Sequence, residues 1–278
     1  MIVVSLCSLK GGVGKTSVVL GLASAALSRG LPTLVVDLDP QADATLALDV
    51  RPPEPEAPDD DVATVLGAAR RSPGPVTVAR SGWSDGLPGR IDVLAGSPET
   101  AQLERPGGEE RTVARLAQRL VHALEGLDGY RLVLVDCPPS LGALTRAGLA
   151  ASQRAIVVTE PALFSVSAAD RALRAVDDLR RGQAPGLQPL GVLVNRYRAR
   201  SPEHRYRLDE LSDMFGPLVL APPIPERSAV QQAQGASQPV HRWPGTAARE
   251  LADTFDVHLA RVQRVAGRSA RRREPAAT

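Results

Sequence analysis

The amino-acid sequence specifies an α/β protein: a mostly parallel, twisted sheet with helices on both faces. Three observations lead there. Short aliphatic runs alternate with longer segments of helical periodicity along most of the chain, the pattern of repeated βαβ units. The hydrophobic content is 43% yet includes only 3 Phe, 3 Tyr and 2 Trp, so the core must be assembled from Ala, Val, Leu and Ile, as in strands buried between helices. A glycine-rich turn joins the first strand to the first helix, where a doubly wound sheet gathers its ligands.

In chain order, residues 2–7 read as a buried strand and 17–28 as a helix closed by Arg29-Gly30. Residues 32–37 form a second strand that ends in acids. The stretch 51–61 is proline-rich and acidic, and 72–90 is rich in Gly, Pro and Ser, so both are expected as surface loops, with one short strand at 76–78. Strands are then expected at 91–94, 132–135, 155–159 and 190–194, separated by helices near 109–125, 140–151 and 166–181. Shorter elements precede a last helix from Thr246 to about Val265. The expected organisation is one domain over 1–265 followed by a basic, flexible tail over 266–278. No internal repeat and no separate DNA-reading domain before the glycine turn are apparent.

Composition narrows the function. No run approaches the roughly 20 apolar residues of a membrane span, and no basic region precedes the first apolar run, so a cytoplasmic protein is expected. Cys7 and Cys137 form no Cys-x-x-Cys pair, and His122, His204, His241 and His258 lack metal-ligand spacing, which disfavours disulfide, zinc and cluster sites. The net charge is +2, so any nucleic-acid surface must be a local patch.

Of 33 Lys+Arg residues only two are lysine, and both lie in Lys10-Gly-Gly-Val-Gly-Lys-Thr16. A compact ammonium on a flexible stem differs from a planar guanidinium, and a chain that spares lysine elsewhere needs it here. Gly11, Gly12, Val13 and Gly14 supply a turn whose backbone N–H groups can curl round an anion at a helix N-terminus. Lys15 then reaches the β- and γ-phosphates, Thr16 is placed to hold Mg²⁺, and Ser17 continues the phosphate-binding turn. A chance glycine-rich turn is the bland alternative, but the flanking strand and helix fit the phosphate-binding reading.

Leu9 occupies the place of the usual first glycine, and Lys10 follows it. This arrangement resembles the deviant Walker A motif of the ParA/MinD class of P-loop ATPases. The resemblance implies an ATP- and Mg²⁺-dependent sandwich dimer, with Lys10 reaching the nucleotide of the second subunit. Asp37-Leu-Asp39-Pro-Gln places two acids at a strand end, where alternation turns i and i+2 to one side; capping of the next helix is the structural alternative. The Asp-Pro-Gln stretch resembles the ParA/Soj-like partition branch, which implies Asp39 as the water-orienting residue and Asp37 as its Mg²⁺-side neighbour. The strand ending at Asp136, followed by Cys-Pro-Pro-Ser140, fits a Walker B acid holding Mg²⁺.

The similarity covers residues 1–262. It implies that Asn195 reads adenine, and that the segment of Pro223-Ile-Pro225 closes over the base, although Glu226 stands where the family has arginine, one place before Arg227. Arg200 resembles a DNA-binding position, and Arg198 and Arg227 complete the candidate DNA set. The implied activity is ATP hydrolysis, slow and partner-stimulated, coupled to ATP-dependent dimerisation and non-specific double-stranded DNA binding. It would drive chromosome or plasmid partition with a ParB-like adaptor, in a nucleoid-associated protein that uses no membrane. Two alternatives stay open: a MinD-like membrane-cycling ATPase, or ParA-like positioning of a protein cargo. A redox ATPase with a cysteine-held cluster is disfavoured because Cys7 and Cys137 stand in the wrong contexts.

Overall fold

The structure is a computed structural model that describes residues 1–50, 60–67, 76–104 and 109–271. Its centre is β1 (Ile2–Cys7), all six residues of which are buried. β1 feeds α1 (Lys15–Ser28), and α1 returns to β2 (Thr33–Asp37). Two short helices follow, α2 (Asp43–Ala47) and α3 (Val62–Leu66), then the two-residue β3 (Ala79–Arg80) and β4 (Ile91–Leu94). The remainder alternates α4 (Glu110–Glu125), β5 (Leu132–Asp136), α5 (Ala143–Ala150), β6 (Arg154–Thr159), α6 (Ser165–Arg181) and β7 (Gln188–Val194). After α7 (Pro202–Phe215) come β8 (Val219–Leu220), α8 (Ser228–Gly235) and the long α9 (Thr246–Arg271).

These strands form one eight-stranded sheet in the order β3-β4-β2-β5-β1-β6-β7-β8. Every neighbouring pair is parallel except β3 with β4. Side-chain alternation splits the core in two. Val3, Leu34, Val133, Val157 and Val192 pack on one face with α3, α4, α5 and α6. Val4, Val35, Leu134, Ile156 and Leu193 pack on the other face with α1, α8 and α9. Parallel strands need both faces covered, and the aliphatic composition suits this two-sided burial.

Close helix packing fixes α1 against α9. A Cβ added at Gly21 would lie 2.2 Å from the ring of Phe255, which is only 2% exposed, so the two helices meet where α1 has no side chain.

Several elements differ from the sequence expectation. The strand expected at 76–78 is displaced to Ala79–Arg80, where it pairs antiparallel with β4. Residues 82–84 form a 3₁₀ turn that buries Trp83, so part of the expected 72–90 surface loop packs into the core. The last helix continues to Arg271 instead of stopping near Val265, because no proline interrupts it until Pro275. The first part of the expected tail is therefore helical. Residues 51–59 of the first expected loop, 72–75 of the second and 272–278 of the tail lie outside the described residues.

Candidate functional site

The carboxyl ends of β1, β2, β5, β6 and β7 converge on the turn between β1 and α1. That turn is anchored by Val13, which is 2% exposed, and is bent by Gly12 and Gly14, both at φ +81°. Gly14 caps α1 without any side-chain hydrogen bond, and the first turn of the helix carries no acid. The N-terminal amides and the positive end of the helix dipole therefore face the turn with no acid of the helix's own to answer them. The helix begins at Lys15, two residues earlier than the sequence suggested, so Lys15 and Thr16 belong to this first turn together with Ser17.

Lys15 is 6% exposed, and its Nζ donates to Asp136 Oδ1 at 2.5 Å and lies 3.8 Å from Asp39 Oδ2. Burial works against its charge, but the Asp136 contact, assisted by Asp39, outweighs burial and holds the ammonium above its ordinary pKa. Asp136 is fully buried, and burial pushes its carboxyl up while Lys15 and the Thr16 hydroxyl pull it down. Its Oδ2 is buried and has no hydrogen-bond partner. A buried carboxylate oxygen without a donor is costly in a closed protein. Set beside a threonine hydroxyl, it fits a hard divalent cation that prefers oxygen ligands. Thr16 and Asp136 thus pass a chemical test for Mg²⁺.

Asp37, expected on the Mg²⁺ side, ends the strand next to Asp136, close enough for the two charges to interact, and both of its oxygens accept hydrogen bonds from the chain. Oδ1 accepts from Asp39 N at 3.2 Å, and Oδ2 accepts from Thr45 N at 2.9 Å and Thr45 Oγ1 at 2.8 Å. β2 ends at Asp37, so strand alternation does not extend to Asp39. Burial, with the neighbouring Asp136 charge, raises the Asp37 carboxyl to about 7 against the Thr45 and Asp39 hydrogen bonds. Asp37 braces the turn into α2, and Asp39 is the acid that faces Lys15.

Asn195, at the end of β7, turns inward. Its Nδ2 donates to Val13 O at 2.8 Å and more weakly to Gly14 O at 3.4 Å, so the expected base reader grips the phosphate turn in this structure. A Cβ at Gly14 would lie 2.3 Å from that nitrogen, which explains the glycine. Pro225 sits nearby: it bridges with Tyr197, and Ile224 N donates to Val194 O at 2.8 Å. The 224–226 segment therefore runs beside Asn195.

Lys10 occupies the rim of the turn, 40% exposed, with its Nζ 2.5 Å from Glu160 Oε1 of the same chain. Its expected reach towards a second subunit begins from this internal pairing. Glu160 and Thr45 escaped the sequence reading because 150 and 8 positions separate them from Lys10 and Asp37, with no local pattern to join them.

The candidate DNA arginines are not equivalent. Arg198 pairs with Glu226 at 2.8 Å, and Arg227 chelates Glu250 at 2.7 and 2.9 Å. Both belong to the expected DNA set, and each is held in an exposed ion pair within the chain. Arg200, exposed at the turn before α7, has no carboxylate partner among the described residues. Cys7 and Cys137 are buried, and burial lifts the Cys7 thiol to about 12. No cluster of three or more His, Cys, Asp or Glu placed to hold a metal occurs among the described residues.

A parallel sheet with a glycine turn at its carboxyl edge, a buried lysine within that turn and carboxylates on adjacent strands defines a P-loop nucleotide-binding protein. The chain belongs to the CobQ/CobB/MinD/ParA nucleotide-binding domain family, whose model matches residues 4–240, and it is an ATPase of the ParA/MinD class. Among relatives, an uncharacterised Mycobacterium tuberculosis protein is 34% identical over 263 residues, 91% of this chain and 79% of its own length. The chromosome-partitioning ATPase Soj of Thermus thermophilus is 31% identical over 265 residues, 94% of this chain and 96% of its own. Among solved structures, cobyrinic acid a,c-diamide synthase from Mycobacterium smegmatis with bound ATP analogue and magnesium superimposes with a TM-score of 0.71. It is 28% identical and covers 95% of this chain and 96% of its own.

Proposed function

We propose that residues 1–265 form one ATP- and Mg²⁺-dependent switch that pairs as a homodimer, binds double-stranded DNA without reading its sequence, and moves a DNA cargo through a ParB-like adaptor. The observation that carries the nucleotide part is the Lys15–Asp136 ion pair with Asp39 beside it. The partition part is supported by the full-length likeness to Soj and by Asp39-Pro40-Gln41 in the loop facing Lys15.

The chemistry follows from the residues. The triphosphate enters the turn and takes Lys15 from Asp136, exchanging one anionic partner for another. Backbone amides of Gly12 to Thr16 receive the β- and γ-phosphate oxygens at the α1 N-terminus. Thr16 and Asp136 would hold Mg²⁺, which would supply charge neutralisation at the β- and γ-phosphates. Asp39 accepts a hydrogen bond from the attacking water and aims it at the γ-phosphorus. Lys10 leaves Glu160 to meet the nucleotide of the second subunit. Among the described residues no helix is long and apolar enough to cross a membrane, and α9 spends Leu251, Phe255, Leu259 and Val262 on the core.

The deciding experiment measures DNA binding across a salt series with ATP, ADP and no nucleotide, with anionic liposomes as a second arm. ATP-dependent, salt-sensitive binding to DNA of any sequence is expected. Binding to liposomes alone would sink the partition reading and leave the ATPase standing.

A further inference from the structure

The residue after Asn195 has no part in the reaction as described, yet it is tied to the phosphate turn from the opposite end of the chain. Arg196 donates from Nη1 to Gly12 O at 2.6 Å, across a sequence separation of 184. Its Nε would lie 3.6 Å from a Cβ at Gly14. The guanidinium therefore lies along the turn and spans two of its glycines. Asn195 takes the carbonyl of Val13, while that of Gly14 accepts the first helical bond from Val18 N, so two successive carbonyls of the turn, Gly12 and Val13, are held outward by two successive side chains just past β7.

Carbonyls held outward leave the intervening amides facing inward, as an anion cradle requires. Arg196 also has φ 55°. A long side chain in this left-handed region is uncommon and strained, and such strain persists where the surroundings fix it and collects at functional sites. The next residue is held just as firmly: Tyr197 N donates to Ile224 O at 2.9 Å, and Glu226 N donates to Tyr197 O at 2.9 Å. The strained turn is thus pinned between the phosphate loop and the 224–226 segment.

We infer that Arg196 is a positioning residue for nucleotide binding: its bond to Gly12 O sets the curvature of the phosphate turn before nucleotide arrives. It meets the loop's backbone at the Gly12 carbonyl, and as a positioning residue it acts on the phosphates only through that turn. Its removal weakens ATP and ADP alike and spares turnover once the site is full. This inference rests on the phosphate-turn reading of residues 10–16.

The test uses Arg196→Asn and Arg196→Gly, both of which accept positive φ, so either one decides if the other fails to fold. Expected are melting temperatures without nucleotide close to the parent, ADP and ATP affinities each reduced about tenfold, and unchanged kcat at saturating ATP. Arg196→Lys keeps a donor and a charge, and should recover most of the affinity. Parental ADP affinity in the Asn or Gly variant, loss confined to ATP, lowered kcat, or no recovery with Lys would each overturn the assignment. Lys15→Ala separates the two readings. If it binds nucleotide normally, the phosphate-turn reading itself fails; if it loses binding while the Arg196 variants keep theirs, only the present inference fails.

Discussion

Lys15 and Asp136 illustrate how a single ion pair holds a site ready. A buried ammonium without a partner, or a buried carboxylate without one, costs several kcal/mol, and each relieves the other at 2.5 Å. The pair is unfinished, because Asp136 Oδ2 still has no donor. Asp39, at 3.8 Å from Lys15, has its Oδ1 engaged by Gln41 N at 3.1 Å and directs Oδ2 to the site. Replacing it by Ala should cut kcat about 100-fold or more while leaving ATP affinity within a few-fold, as loss of a water-orienting base does. Stopped-flow binding beside phosphate-release assays separates the two quantities. Lys10 and Glu160 form a partly exposed pair, worth about 1 kcal/mol or less. Glu160→Gln should lower the protein concentration needed for ATP-dependent pairing by up to about fivefold, measured by sedimentation velocity. A higher concentration requirement would mean that Glu160 supports the dimer instead of restraining Lys10.

The helices and strands show which physical signals a sequence exposes. Runs such as Leu132–Asp136 are buried throughout and read clearly as strands. α7 went unassigned because its apolar side is narrow, with Leu211 buried and Leu208 and Phe215 only partly covered, although Ser201 caps it and Pro202 starts it. α2 follows Ala42 at φ 54°, a conformation that no local signal announces. The phosphate turn was legible for the opposite reason, since three glycines and two lysines within seven residues have few other uses. Its clamps, Glu160 and Arg196, were not legible as such, because only tertiary pairing brings them to it.

α9 carries a titratable link of its own. His258 is 2% exposed, with Nε2 2.9 Å from Pro222 O and Nδ1 without a partner. Burial lowers its pKa to about 4, with Arg261 reinforcing the shift and the Pro222 bond opposing it. The unfolded chain, titrating near 6.5, binds the proton more readily than the folded one. Stability therefore falls as pH drops from about 6.5 to 4, by on the order of 3 kcal/mol from this residue. His258→Gln should flatten that part of the curve in urea melts taken across the interval. An unchanged slope would reassign acid sensitivity to the carboxylates.

Charge across the whole molecule is nearly balanced, and its arrangement matters more than its sum. Intrachain acids answer Arg174, Arg180, Arg181, Arg198, Arg207 and Arg227. A polyanion must compete with these acids before it gains those contacts. Arg200 faces no such competitor among the described residues, so Arg200→Ala should weaken DNA binding more than Arg198→Ala or Arg227→Ala. It should also lower the magnitude of the salt slope by about 1 per subunit. Equal losses from all three would show that the internal pairs dissolve when DNA arrives.

The sparing use of lysine has a practical outcome. Both primary amines of the side chains lie on one loop, one 40% exposed at its rim and the other 6% exposed at its base. Acylating reagents at limiting dose should mark the outer amine first and reach the inner one slowly. Peptide mass spectrometry could then follow occupancy and subunit pairing on the unaltered polypeptide, with no engineered label.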